Sequence, residues 1–313
     1  MTAILRRSFL KPKIIFIVGP TGAGKTQVGL SFSRLAPCEF VSADSMQVYR
    51  GMDIVTDKLP LKLRRKYPHY LVDMLSPLKE YNVAGFCRAA KAAIARILKR
   101  KKTPVVIGGT GLYINSLLYG IFDEGSKSDR LREELKGLAQ EHGVPFLHER
   151  LKNVDLEAAM KIGANDLKRI IRALEVYELT KKPISVLQKQ RRGLAQDHDI
   201  RLFGLRRDRA DLYSRIDQRV DFMVNAGLLD EVRGLLKKKL SKTAYFCIGI
   251  REIEGFLKGR YDLGEAVRLI KRNSRRFAKR QMTWFNKSKD IEWIDVLENT
   301  GMDAVAEDIY HRL

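Results

Sequence analysis

Eight consecutive residues, Gly19-Pro20-Thr21-Gly22-Ala23-Gly24-Lys25-Thr26, carry the clearest chemistry in this chain. They fit G-x-x-x-x-G-K-[ST], with the apolar run Ile14-Ile15-Phe16-Ile17-Val18 before them and a helix-compatible segment after them. The chemistry is anion capture. Glycines let the backbone curl so that several N–H groups converge, a helix N-terminus adds partial positive charge, and Lys25 adds a full one. Thr26 offers a hydroxyl to Mg2+. A bound diphosphate or triphosphate is expected, and the loop alone does not say what the phosphates are attached to.

Other residues gather around this loop by type. Asp44 closes an apolar run and opens Ser45-Met46-Gln47. Its carboxylate has three readings from sequence: holding Mg2+ through water, accepting a proton from a nucleophile, or serving as a helix N-cap. Thr110 lies in Gly108-Gly109-Thr110-Gly111, where its hydroxyl touches substrate or the glycines merely turn the chain. Arg215 and Arg219 stand one helical turn apart, able to reach one anion together or to pair with Asp217 and Asp221. His69, a lone histidine before a short apolar run, is a minor contact at most. Cys38, Cys87 and Cys247 are far apart, so neither a zinc site nor a disulfide framework is indicated, and a reducing cytoplasm suits the chain.

The elements that must position these groups alternate. Strands are expected at Ile14–Val18, Glu39–Ala43, Val105–Ile107 and, as a short one, Tyr70–Asp73; helices at Thr26–Leu35 and Val83–Lys101. Such alternation implies a parallel sheet with helices on both faces, with ligands beyond the carboxyl ends of the strands. Residues 121–197 are helix-rich, charged and almost without strand signal, with helices expected at Asp129–Glu141, Phe146–Asn153, Leu156–Ile162 and Asp166–Leu179. A helical insertion is therefore expected at 121–197, in a core of residues 11–120 and 198–313. Ile200–Leu205 reads as a strand rejoining the sheet, and the chain from Arg209 onward as mostly helical.

Charge is the second clue. The 313 residues hold 59 Lys+Arg against 37 Asp+Glu, a net charge of +22, which points to a polyanionic partner, nucleic acid first. Arg268, Lys271, Arg272, Arg275, Arg276, Lys279 and Arg280 recur at helical spacing and repel one another unless an anion neutralises them. Arg6 and Arg7 ahead of an apolar run give a faint echo of a signal peptide, but that run enters the phosphate loop directly and reads as the first strand. No apolar stretch approaches a membrane span.

In combination these stretches resemble the tRNA dimethylallyltransferases of the bacterial type. The resemblance rests on Gly19–Thr26; Asp44-Ser45-Met46-Gln47-Val48-Tyr49; Gly51-Met52-Asp53-Ile54; Pro68-His69; Gly108–Tyr113; Asn165-Asp166 with Arg169 and Arg172–Glu175; Arg215-Ile216 and Arg219-Val220; and Ala278–Phe285. Val55, Asp57, Lys181-Lys182 and Ile250-Arg251 depart from the family pattern. The resemblance implies a P-loop-like α/β core with an all-helical insertion and a cytoplasmic monomer. The implied reaction is transfer of a dimethylallyl group from dimethylallyl diphosphate to N6 of the adenosine 3′ of a tRNA anticodon, with Mg2+ as cofactor.

It also implies roles. Residues Gly19, Pro20, Thr21, Gly22, Ala23, Gly24, Lys25 and Thr26 would hold the leaving diphosphate, Arg219 would assist them, and Asp44 would act as general base. The tRNA would meet Asp44, Ser45, Met46, Gln47, Thr110, the run Lys168-Arg169-Ile170-Ile171-Arg172 and the run Phe246-Cys247-Ile248-Gly249-Ile250-Arg251. A P-loop kinase or NTPase is the rival reading; it accounts for the loop but not for the basic surface.

Overall fold

The computed structural model describes residues 11–121 and 128–313. In chain order the elements run β1 (Lys13–Val18), α1 (Lys25–Leu35), β2 (Cys38–Ser42), α2 (Leu61–Lys66), β3 (His69–Tyr70), α3 (Val83–Lys99), β4 (Thr103–Gly108) and α4 (Gly111–Tyr119). Six helices follow: α5 (Asp129–His142), α6 (Val144–Val154), α7 (Leu156–Lys161), α8 (Leu167–Thr180), α9 (Ile184–Lys189) and α10 (Leu194–Asp197). Then come β5 (Asp199–Arg206), α11 (Arg209–Asn225), α12 (Leu228–Leu236), α13 (Lys242–Tyr245), α14 (Ile250–Leu257), α15 (Leu263–Phe285), β6 (Glu292–Asp295) and α16 (Met302–His311).

The six strands form one sheet in the order β3-β2-β4-β1-β5-β6, every pairing parallel. Both faces of β1 are buried, which is why Ile14–Val18 reads as an unbroken apolar run instead of an alternating one. Ile15 and Ile17 join Val28 and Phe32 of α1 and Val305, Ala306 and Ile309 of α16 in one core. Against the sheet also packs α3, through the stripe Phe86, Ala90, Ile94 and Ile97.

The α/β expectation holds, with local differences. The short third strand is His69–Tyr70, not Tyr70–Asp73, because Leu71 and Asp73 take left-handed backbone angles (φ 67° and 55°) that end the extended run. One strand, β6, lies in the stretch read as helical. It is an edge strand of four residues, half-buried, so it leaves no apolar run to read.

The chain divides into two compact units, 1–118 with 197–313 and 119–196. In the second unit all the described regular elements are helices, packed around Leu135, Leu147, Leu151, Ile170, Leu174 and Val176. A buried carboxylate organises it: Glu175 accepts from Arg132 Nε at 2.8 Å, Arg172 Nη1 at 2.7 Å and the Ser128 N–H at 3.0 Å. In the first unit a further core, beside the sheet core, joins residues 48–55 to α11, α12, α14 and α15 through Tyr49, Met52, Val220, Val232, Ile253 and Ile270.

Candidate active site

The phosphate loop fills the turn between β1 and α1, at the carboxyl end of the sheet. Its carbonyls are claimed by cations: Pro20 O accepts from Lys25 Nζ at 2.7 Å, Gly22 O from Arg215 Nε at 3.1 Å and Ala23 O from the buried Arg207 Nε at 3.1 Å. The amides of Gly22, Gly24, Lys25 and Thr26 have no hydrogen-bond partner among the described residues, which leaves four donors at a helix N-terminus for an anion. Arg219 adds to this pole. Its Nη1 donates to Thr21 Oγ1 at 2.6 Å, and its buried Nε–H finds no partner among the described residues. An unpaired buried guanidinium donor is costly unless a ligand completes it.

The alternative partners for the arginine pair are taken. Asp217 accepts from Arg275 and Asp221 from Lys271, both on α15, so Arg215 and Arg219 are left for the loop. Asp57 stands opposite, its Oδ2 3.6 Å from Arg219 Nη1. Burial pushes the Asp57 carboxyl above its usual range, against the pull of Arg219. Burial also lowers the Lys25 ammonium to about 8; Asp44 opposes this and Arg219 reinforces it. These mutual effects place Asp44, Lys25, Asp57 and Arg219 in one electrostatic cluster.

Asp44 follows β2. Its Oδ1 accepts from the Met46 N–H at 2.8 Å and the Gln47 N–H at 3.3 Å, so it caps as an N-cap would, but what it caps is a turn, because no helix follows before α2. Only one oxygen is used: Oδ2 has no hydrogen bond to a described residue, and a proton-accepting role stays open beside the cap. Ser45 N–H donates to Thr110 Oγ1 at 3.2 Å, joining the Asp44 turn to the loop after β4. Thr26, in the first turn of α1, has no hydroxyl partner among the described residues, and no cluster of three acidic, histidine or cysteine side chains stands ready to cage a metal there. An uncommitted hydroxyl beside the amide cradle fits a Mg2+ ion shared with phosphate oxygens and water. His69 is structural: its Nδ1–H donates to Tyr67 O and its ring stacks on Phe40 at 4.6 Å.

The runs expected to meet RNA are corrected in part. In the insertion, Lys168 and Arg169 are exposed, but Ile170 and Ile171 are buried in the helical core and Arg172 bonds to Glu175. In the other run, Phe246 and Arg251 are exposed, with the guanidinium 4.8 Å from the ring centroid. Cys247 and Ile250 are core residues there. The buried apolar side chains of both runs position the exposed ones and offer nothing to phosphate. The basic stripe of α15 is likewise partly neutralised, since Glu265 pairs with Arg268 while Asp221 and Asp217 hold Lys271 and Arg275. Arg276, Lys279 and Arg280 remain exposed without an acidic partner among the described residues.

Comparison with known proteins bears on this geometry. Residues 47–288 match the family model described as IPP transferase. This chain belongs to that family. A tRNA dimethylallyltransferase of Halothermothrix orenii is 44% identical over 286 residues, covering 90% of this chain and 87% of the relative. The tRNA dimethylallyltransferase 2 of Geotalea uraniireducens is 46% identical over 291 residues, covering 92% and 94%. Among solved structures, the tRNA isopentenylpyrophosphate transferase of Bacillus halodurans superposes with a TM-score of 0.71 at 36% identity, over 96% of this chain and 95% of that one. A eukaryotic dimethylallyltransferase acting on tRNA gives a TM-score of 0.82 at 28% identity, over 95% and 77%. In this IPP transferase, three residues of the site carried no signal of their own in the sequence. Arg207 lies in no motif, Asp57 stood out only as a departure from the family pattern, and Gln281, though inside the Ala278–Phe285 stretch, had no role attached. Arg207 and Gln281 bond to the loop, and Asp57 pairs with Arg219, from far along the chain.

Proposed function

We propose that the protein transfers the dimethylallyl group of dimethylallyl diphosphate to N6 of the adenosine at tRNA position 37, just 3′ of the anticodon, releasing diphosphate. One observation carries the reading: a complete anion cradle stands beside a carboxylate that has one oxygen uncommitted. The bond between the allylic carbon and the diphosphate oxygen breaks as the bond from N6 to that carbon forms. The four free loop amides, Lys25 and Arg219 offset the charge that develops on the leaving oxygen. Asp44 Oδ2 takes the proton that N6 loses, while Oδ1 keeps the carboxylate anchored to its turn.

Thr26 would hold Mg2+ together with the diphosphate, and the ion when bound supplies further charge neutralisation to the leaving group. The adenine must leave its stack to reach a half-buried carboxylate, so the base is flipped. Lys168, Arg169, Arg251, Arg276, Lys279 and Arg280 supply exposed cations for tRNA phosphates, and Phe246 an exposed aromatic face.

Asp44→Asn tests the assignment, because the amide oxygen still caps Met46 and Gln47. Turnover with dimethylallyl diphosphate and unmodified tRNA should fall by about 100-fold or more, with tRNA affinity within a few-fold of wild type. Equal losses in both would make Asp44 a structural residue. Consumption of ATP by the wild-type protein, with the isoprenoid donor untouched, would return the kinase reading.

A further inference from the structure

A side chain that no step of this reaction uses joins two loops of the site. Gln281, on α15, is 8% exposed. Its Oε1 accepts the Thr21 N–H at 2.8 Å, and its Nε2 donates to the Gly109 carbonyl at 2.9 Å. Both ends of the amide are thereby committed, and only this orientation sets oxygen against N–H and nitrogen against C=O. Gly109 makes the approach possible, since a β-carbon there would stand 2.2 Å from Nε2. Further along α15, Trp284 lies over Gly111 just as closely, with Cδ1 2.2 Å from where a β-carbon would be.

Each loop passes the contact on. Beyond Thr21, the hydroxyl accepts from Arg219. Beyond Gly109, Thr110 accepts from the N–H of Ser45, next to Asp44. Thr21 therefore spends its amide on Gln281 and its hydroxyl on Arg219, and the cradle's shape at this residue is set from α15. The same helix carries the exposed cations Arg276, Lys279 and Arg280.

We propose that Gln281 is a positioning residue for the transfer. It fixes Thr21, and through it Arg219, for the diphosphate, and it holds Gly109 and Thr110 beside the Asp44 turn. Leaving-group and base loops are then kept in register by one buried amide on the most basic helix. The inference deepens the reading of the loop as a diphosphate site and rests on it.

Gln281→Met keeps the volume and removes both hydrogen bonds. Titration calorimetry with inorganic pyrophosphate should show affinity per folded molecule about tenfold weaker. In steady-state assays kcat should fall by about 10- to 100-fold, while KM for tRNA moves less than about threefold. If the methionine variant does not fold, Gln281→Glu serves. It keeps an acceptor for Thr21 and sets an oxygen against the Gly109 carbonyl, and the same split between kcat and KM is expected. Unchanged pyrophosphate affinity and kcat in the folded variant would overturn the proposal, as would a lowered melting temperature with normal kcat. A wild-type protein that binds no pyrophosphate would overturn the diphosphate reading itself. A wild type that binds it, with variants that bind and turn over equally well, would overturn only the role of Gln281.

Discussion

Lys25 meets its substrate with its proton already loosened. Burial sets the free ammonium at about 8 instead of 10.5, and an arriving diphosphate brings negative charge that raises it again. At about pH 8.5 the free protein has mostly released this proton and the complex keeps it, so binding takes a proton up. Calorimetry of pyrophosphate binding in two buffers of different ionisation enthalpy should show, at about pH 8.5, an uptake in excess of that seen with Lys25→Met, and the excess should vanish at about pH 6.5, where Lys25 is protonated in both forms. The stability sign runs the same way: a lysine whose folded pKa lies below its unfolded value costs stability below about 8, and the cost is relieved as pH rises toward 10.5. Asp57 gives a second test. Its carboxylate faces Arg219, the cation that the proposed diphosphate would draw on. Asp57→Ala should therefore bind pyrophosphate several-fold more tightly in chelator, with the gain shrinking once Mg2+ screens the like charges. Weaker binding in chelator would show that Asp57 supports Arg219 instead of competing for it. At this scale the sequence made Lys25, Thr26, Asp44 and the arginine pair legible because local motifs mark them. Asp57 and Gln281 act across long stretches of chain, 260 positions in the case of Gln281 and Thr21, and nothing local announces such a contact.

Among the elements, α15 shows what periodicity can and cannot reveal. Its basic spacing is plain in the sequence, but the acids that neutralise part of it sit on α11, and only the fold brings Asp217 and Asp221 alongside. The helix is thus divided. Replacing Arg276, Lys279 or Arg280 with alanine should each reduce the slope of log tRNA affinity against log salt by about one, with little change in melting temperature. Arg275→Ala should do the reverse, lowering the melting temperature while the salt slope stays, because its charge is spent on Asp217. Filter binding across a salt series, paired with thermal melts, separates the two classes. The run 168–172 repeats the lesson within the insertion. A helix lodged on a core has to bury one face, so Ile170 and Ile171 anchor what Lys168 and Arg169 present.

At the scale of the whole molecule, the strand–loop–helix alternation was enough to read a parallel sheet with its site at the carboxyl edge. What escaped was β6, whose half-buried edge position leaves no apolar signature, and the order of the strands, which no local pattern encodes. That order has a temporal consequence. The phosphate-loop helix α1 shares its core with Val305, Ala306 and Ile309 of α16, and β1 pairs with residues 199–204 of β5. A ribosome emits the cradle long before the helix that packs behind it. A nascent chain halted before residue 302 would carry every residue of the Asp44 turn and the anion loop, yet lack the helix that completes the core behind α1. A finished cradle therefore has to wait for α16, however early its own residues leave the ribosome.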